Sequence, residues 1–263
     1  MKSFDLPIWV INLKKDKERR EFMTSQLGRL GLSFEIVEAV DGSILTNQDL
    51  KSYSADLALK TIHRQLIPNE IGCALSHIGL WERMMRENIA EALIFEDDAL
   101  ISEAFLGVLA NRDKLPENWE HINFTTWARV VPFGDFIYDI YRAAKYLERP
   151  FLASAYLLTK SGAEKLLSKV FPLYIPIDDY FSIVCLSSYA VEPQVVSLKN
   201  TGSSIGTRKK GVRPKPKFLK RKHREFIEMI RASLIFFGVR EEWIVNVNKR
   251  IRSALKSQKK EHS

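Results

Sequence analysis

Cysteine is scarce in this 263-residue sequence, which contains only Cys73 and Cys185. Neither has metal-ligand spacing, so a reducing, cytosolic setting is expected in preference to a disulfide framework. Met1 is followed by no apolar signal core, and no uncharged stretch approaches the roughly 20 residues that span a bilayer. We therefore expect a chain that stays soluble.

Glycine-rich loops of the kind that hold phosphate groups are also missing. This absence makes phosphoryl transfer the weakest of the enzymatic hypotheses for the chain. Hydrophobic residues form 46% of the sequence and charged residues 27%, which are ordinary values for a globular protein. The length suffices for one large α/β domain, or for a domain with an appendage.

Charge is divided unevenly along the sequence. Residues 208–263 contain 18 lysines and arginines against 5 acids, whereas residues 1–207 contain 22 against 27. Because apolar residues recur at helical spacing in the basic segment, we predict a globular domain at 1–207 and a basic amphipathic helical tail at 208–263. We favour an anionic membrane surface as the tail's partner, since its apolar face is large and no nucleic-acid-binding motif accompanies the charge. Nucleic acid and packing against the domain are the alternatives.

The first 40 residues predict a strand, a helix and a second strand. Apolar residues dominate 7–13, helical spacing follows over 19–30, and 34–40 alternates like a strand. This βαβ order requires a right-handed crossover between parallel strands. Together with the later segments, it predicts an α/β fold with a mostly parallel central sheet. The later segments with helix or strand patterns are 68–85, 93–98, 119–124, 153–159 and 191–197.

Three consecutive acids, Glu96, Asp97 and Asp98, directly follow the apolar run at 92–95. The run predicts a buried strand, and ligands bind at the carboxyl ends of strands in open α/β sheets. Three adjacent carboxylates there need a neutralising cation, and oxygen ligands suit Mg²⁺ or Mn²⁺, which often bind a diphosphate as well. The alternative is a solvated turn whose acids cap the next helix.

Two further features carry possible chemistry. Asp178 and Asp179 form a second acidic pair, which could supply a general base or merely cap a helix. His77 lies four residues before Trp81 in a predicted helix, and a histidine in this setting is more often packed in the core than a ligand. Neither feature decides a function by itself.

Six short segments follow one another in order between residues 8 and 205. They are VINL at 10–13 with the arginines at 19–20, EAVDG at 38–42, EIGCALSH at 70–77, LIFEDD at 93–98, YLLTKSGA at 156–163 and PID at 176–178. Together they resemble glycosyltransferase family 25. This family contains the lipooligosaccharide galactosyltransferases of Gram-negative bacteria and is related to the collagen galactosyltransferases. Two regions depart from the family pattern, namely 152–155, where the family has a glycine-rich lead, and 126–127.

The resemblance implies a GT-A-type nucleotide-sugar-binding domain, UDP-galactose as the donor and Mn²⁺ (or Mg²⁺) as the cofactor. A metal at Asp98 and Glu96 is implied, with a catalytic base at Asp178 or Asp179 on the acceptor side. The residues expected to border the bound nucleotide are Asn12, Arg19, Ser76, His77, Glu96 and Asp97.

A single carboxylate base opposite the leaving group predicts inversion and a β-linked product. We therefore expect transfer of galactose, most simply in a β-1,4 linkage, to a terminal sugar of a lipooligosaccharide or lipopolysaccharide core. This expectation places the protein on the inner face of the cytoplasmic membrane of a Gram-negative bacterium, bound to anionic lipid and not to nucleic acid. A glucosyltransferase of the same pathway and a non-catalytic membrane or polyanion-binding protein are the alternatives, and the sequence does not give the acceptor or the oligomeric state.

Overall fold

The computed structural model describes residues 4–150 and 152–199. The predicted basic tail and its boundary at residue 207 lie outside these residues. Ten strands lie within the described part of the chain. They are β1 (Ile8–Asn12), β2 (Glu35–Glu38), β3 (Glu91–Glu96), β4 (Ala99–Ile101), β5 (His121–Asn123), β6 (Asp135–Tyr138), β7 (Tyr141–Lys145), β8 (Ala155–Thr159), β9 (Ser188–Glu192) and β10 (Val196–Leu198).

Seven α-helices and two 3-10 helices lie in the same residues. None of the helices in this part of the chain is both long enough and apolar enough to cross a membrane. The α-helices are α1 (Lys17–Arg29), α2 (Asn47–Leu50), α3 (Ala55–Ile62), α4 (Pro68–Arg86), α5 (Ala104–Ala110), α6 (Lys160–Val170) and α7 (Ile177–Ile183), and the 3-10 helices are Gly42–Ile44 and Arg112–Lys114.

The predicted βαβ opening is confirmed. β1 pairs in parallel with β2 on one side and with β3 on the other. All five residues of β1 are buried, because helices cover both faces of the sheet. Alternate β1 side chains enter different cores: Trp9 packs in the core formed with α4, α6 and α7, and Val10 packs in the core formed with α1 and α5. A strand covered on both faces gives the continuous apolar run seen in the sequence.

The prediction of a mostly parallel sheet is wrong, because the central sheet is mixed. Its eight strands have the order β2-β1-β3-β8-β5-β9-β7-β6. β8 runs antiparallel to both of its neighbours, β3 and β5, and the β6–β7 pair at the edge is also antiparallel. Four of the five β8 residues are buried, so this strand has the same apolar pattern as a central parallel strand. Sequence periodicity cannot distinguish the two directions.

The last predicted strand, 191–197, is in fact two strands. β9 ends at Glu192, Pro193 follows, and β10 begins at Val196. Proline lacks the N–H that a central strand would need to continue its ladder. β9 pairs in the main sheet, whereas β10 pairs antiparallel with β4 in a separate two-stranded sheet.

Candidate active site

The carboxyl ends of β1, β2 and β3 meet at one edge of the sheet. Ile11 in β1 pairs with Glu96 in β3, and Asn12 in β1 pairs with Glu38 in β2. The residues that follow these positions, with α4, surround a cleft that we name the acidic cleft. Five of the nine predicted site residues line it. Its polar and charged lining consists of Arg19, Asn69, Cys73, Ser76, Glu96, Asp97 and Asp98.

One wall of the acidic cleft is a direct contact between the backbone after β2 and the start of α4. A Cβ atom at Gly72 would lie 2.6 Å from the Val40 carbonyl oxygen, and one at Gly42 would lie 2.5 Å from the Asn69 Cα. Neither position has room for a side chain. Ser76 fastens the same contact, because its hydroxyl accepts a 2.9 Å hydrogen bond from the Val40 N–H and donates a 2.8 Å bond to the Gly72 carbonyl. The predicted site residue Ser76 therefore lines the cleft and also holds its wall.

Asp97 is held by two other predicted site residues. Arg19 Nη1 donates a 2.7 Å hydrogen bond to Asp97 Oδ1, and Asn12 Nδ2 donates a 2.8 Å bond to Asp97 Oδ2. Burial raises the pKa of Asp97, although the hydrogen bonds from Arg19 and Asn12 oppose that shift. Asn12 is itself buried and reaches the site only through Asp97. Arg19 also lies 3.7 Å from Asp98 Oδ2, so its positive charge faces two of the three acids.

Asp98 has the least satisfied carboxylate of the three acids. Within residues 4–150 and 152–199, its buried Oδ1 atom has no hydrogen-bond partner. Burial, together with the negative charges of Glu96 and Asp97, raises the pKa of Asp98 to about 6. A buried, unpartnered carboxylate oxygen beside other acids is the arrangement that a divalent cation stabilises. Asp98 therefore fits the metal that the sequence assigned to it.

Glu96 is oriented from behind by a chain of buried side chains. Its Oε2 accepts a 2.8 Å hydrogen bond from Ser154 Oγ, and its Oε1 lies 3.3 Å from His77 Nε2. His77 Nδ1 lies 2.8 Å from the Tyr156 hydroxyl, which also accepts a 3.0 Å bond from Trp81 Nε1. Burial opposes ionisation of Glu96, but the hydrogen bonds with His77 and Ser154 outweigh it and lower the Glu96 pKa. His77 is fully buried and does not line the cleft, so it supports the cleft through its contact with Glu96.

Asp178 and Asp179 lie in the first turn of α7, and neither lines the acidic cleft. Asp178 Oδ2 accepts a 3.4 Å hydrogen bond from the Leu152 N–H. Burial raises the pKa of the Cys73 thiol, and the negative charges of Glu96 and Asp178 raise it further. The charge of Asp179 acts instead on Arg64. Of the two predicted bases, Asp178 is therefore the one whose charge acts on a residue that lines the cleft.

Three residues of the site had no predicted role. Ser154 and Tyr156 contact the Glu96–His77 pair, and Cys73 lies 3.6 Å from Glu96 Oε1. β8 begins where β3 ends, with Ala155 opposite Phe95, because these strands are antiparallel. The polar residue Ser154, just before the apolar run of β8, can therefore be assigned to the site only when the direction of β8 is known. Cys73 has a local signal, since it lies four residues before His77 and so on the same helix face.

Comparison with known proteins identifies the family. Residues 5–181 match the sequence model described as "Glycosyltransferase family 25 (LPS biosynthesis protein)". The chain belongs to this family. It is 29% identical over 188 residues to a probable inactive glycosyltransferase 25 family member 3 of Bos taurus, and 34% identical over 194 residues to a glycosyltransferase 25 family member of Anopheles gambiae. It is 26% identical over 186 residues to procollagen galactosyltransferase 2 of Homo sapiens.

These alignments cover 67% of this chain and 30–31% of each relative, so the chain spans about a third of the length of the curated relatives it matches. The resemblance to glycosyltransferase family 25 is confirmed. The relatives include one named for galactosyl transfer and one named inactive.

Proposed function

We propose that this family 25 chain transfers galactose from UDP-galactose to a terminal sugar of a lipooligosaccharide or lipopolysaccharide core. The observation that supports this proposal best is the unpartnered, buried carboxylate oxygen of Asp98 in a cleft that also presents Arg19. A donor with a diphosphate brings negative charge to this edge of the sheet, and a divalent cation would neutralise both it and the acids.

Asp98 would hold the cation, Mn²⁺ or Mg²⁺, with Glu96 as the second ligand. When bound, the cation supplies positive charge to the diphosphate leaving group. Arg19 would also supply positive charge to the leaving group, because Asp97 fixes its guanidinium at the cleft before any substrate arrives. Glu96 is kept ionised and oriented by His77 and Ser154. Losing one preorganised electrostatic contact of this kind commonly costs about 3 kcal/mol, or about a hundredfold in rate.

Asp178 is the proposed general base, because its negative charge acts on Cys73, a residue that lines the cleft. A carboxylate there would take the proton of the acceptor hydroxyl as that oxygen attacks the sugar. One displacement of this kind inverts the anomeric carbon, so the proposed product is β-linked, as in a β-1,4 bond. Glucose in place of galactose is the nearest alternative donor sugar.

The proposed setting is the cytoplasmic face of the inner membrane of a Gram-negative bacterium. The support is the excess of lysine and arginine in residues 208–263, which would attract anionic lipid at about 1 kcal/mol for each residue at the surface. This segment lies outside the described residues. Binding to the membrane would raise the effective concentration of a lipid-linked acceptor.

The decisive experiment is a screen of UDP-sugars with and without Mn²⁺, in which release of UDP is measured for the full chain and for Asp98→Asn. We expect UDP-galactose to be used, the cation to be required, and the variant to lose at least about a hundredfold in rate. Asp135→Asn is the control, because Asp135 is exposed on the edge strand β6. Wild-type turnover by Asp98→Asn would refute the proposed site.

A non-catalytic binding protein is the second candidate, and it is favoured by the 29% identity to a relative named as probably inactive. The same screen separates the two candidates. If no UDP-sugar is turned over and UDP itself does not bind in the presence of Mn²⁺, the binding-protein candidate replaces the enzyme.

A further inference from the structure

Three different metal-binding groups converge on the buried side of the acidic cleft. One ligand atom from each of Cys73, His77 and Glu96, namely a sulfur, a ring nitrogen and a carboxylate oxygen, lies within 4.8 Å of the other two. Cys73 and His77 are four residues apart in α4, so they project from the same helix face, and Glu96 meets them from the end of β3. Sulfur and nitrogen ligands distinguish this cluster from the pair of carboxylates, Asp98 and Glu96, proposed to bind Mn²⁺ or Mg²⁺.

The distances in the cluster match those of a tetrahedral zinc site. Zinc bonds of about 2.0–2.1 Å to nitrogen, about 2.0–2.2 Å to oxygen and about 2.3 Å to sulfur place N–O and S–O ligand pairs about 3.4 Å and about 3.6 Å apart. Glu96 Oε1 lies 3.3 Å from His77 Nε2 and 3.6 Å from Cys73 Sγ. The sulfur of Cys73 and a ring nitrogen of His77 are at most 4.8 Å apart, so a side-chain shift would complete the arrangement.

Hydrogen-bonding partners hold the side chains of His77 and Glu96 in place, as such partners do for metal ligands in known sites. The outer ring nitrogen of His77 contacts the Tyr156 hydroxyl at 2.8 Å, and Glu96 Oε2 accepts a bond from Ser154. A tyrosine hydroxyl can accept as well as donate a hydrogen bond, so His77 can hold its proton on Nδ1 and present the Nε2 lone pair to a metal.

We propose that Cys73, His77 and Glu96 bind Zn²⁺ through three protein ligands, with a fourth position facing the acidic cleft. Cys73 and Glu96 both line that cleft, so the ion has a route of entry. Binding forms a zinc–sulfur bond and releases the thiol proton of Cys73 to the buffer. Because Glu96 would serve both ions, Zn²⁺ would compete with Mn²⁺. This last consequence alone rests on the proposed function.

Co²⁺ is the probe for this site, because a cobalt–thiolate bond gives a charge-transfer absorption band in the near ultraviolet. In a titration of the full-length protein we expect this band to saturate at one equivalent of Co²⁺ and to disappear when Zn²⁺ is added. Cys73→Ser should abolish the band, while Cys185→Ser, at the exposed second cysteine, should retain it. Ser154→Ala should weaken Zn²⁺ binding about 10- to 100-fold by removing a group that orients Glu96.

Two results would overturn the zinc site: absence of the thiolate band at saturating Co²⁺, and loss of the band in Cys185→Ser but not in Cys73→Ser. Circular dichroism of each variant checks that it is folded. The spectrum needs neither donor nor acceptor, so failure of sugar transfer leaves this test intact. A missing spectrum likewise leaves the proposal for Asp98 untouched.

Discussion

Arg19 Nη1 lies 2.7 Å from Asp97 Oδ1, and the two side chains are only 17% and 10% exposed. This ion pair joins the first helix to the end of β3 across 78 positions of sequence. It gives the guanidinium a fixed place in the acidic cleft before a substrate binds. Asp97 therefore positions Arg19, whereas its neighbour Asp98 has a carboxylate oxygen that could bind a cation.

Replacing Asp97 with alanine should destabilise the fold. Asp97→Ala leaves Arg19 and Asn12 without their carboxylate, and breaking a buried ion pair from one side is strongly unfavourable. We expect the free energy of unfolding, measured by urea titration, to fall by about 3 kcal/mol. Glu87→Ala is the control, because Glu87 pairs with Arg83 at the surface and its loss should change little. An equal effect of both substitutions would contradict the supporting role of Asp97.

The stability of the protein should depend on pH through Asp98. Burial raises its pKa to about 6 in the folded state, whereas the same group in the unfolded chain titrates near pH 4. The folded state thus binds more protons between about pH 4 and pH 6, so stability falls as pH rises through this window and then levels off. In the presence of a chelator, Asp98→Asn should gain about 2–3 kcal/mol relative to wild type between pH 4 and pH 7. A difference that stays constant with pH would show that Asp98 does not titrate in this way.

Trp127 is a candidate contact for the acceptor sugar. It follows β5, whose carboxyl end lies at the same edge of the sheet as that of β3, and its side chain is 64% exposed. An exposed indole can stack on the apolar face of a sugar ring, a contact worth about 1 kcal/mol. Trp127→Ala should therefore raise the acceptor KM several-fold and leave donor hydrolysis unchanged. Phe136→Ala, at an equally exposed aromatic residue on β6, is the control that should change neither quantity.

The parts of the site that sequence could predict are those with a local signal. An apolar run ending in acids identified Glu96, Asp97 and Asp98, and the opening βαβ unit brought Arg19 to the same edge of the sheet. The different tasks of the three acids have no such signal. They follow from partners as distant as Asn12 and Ser154, which only the folded chain brings into contact.

The direction of β8 explains most of what the sequence missed. A strand buried on both faces has the same composition whether it is parallel or antiparallel, so the mixed sheet could not be foreseen. Because β8 runs antiparallel to β3, Ser154 and Tyr156 lie near the end of β3 that is followed by the acids. Leu152, in the segment 152–155 where the family resemblance expects a glycine-rich lead, adopts a left-handed backbone with a φ of 73°. The departure in sequence therefore coincides with a conformation that glycine adopts freely.

The contact of Gly42 and Gly72 limits how this protein can diversify. Where main chain touches main chain, there is no side chain whose length or polarity could be altered to reshape the adjoining wall. New donor or acceptor preferences are therefore expected to arise after β5, where Trp127 is exposed and no such contact fixes the side chain. Directed evolution of this chain should concentrate its library there.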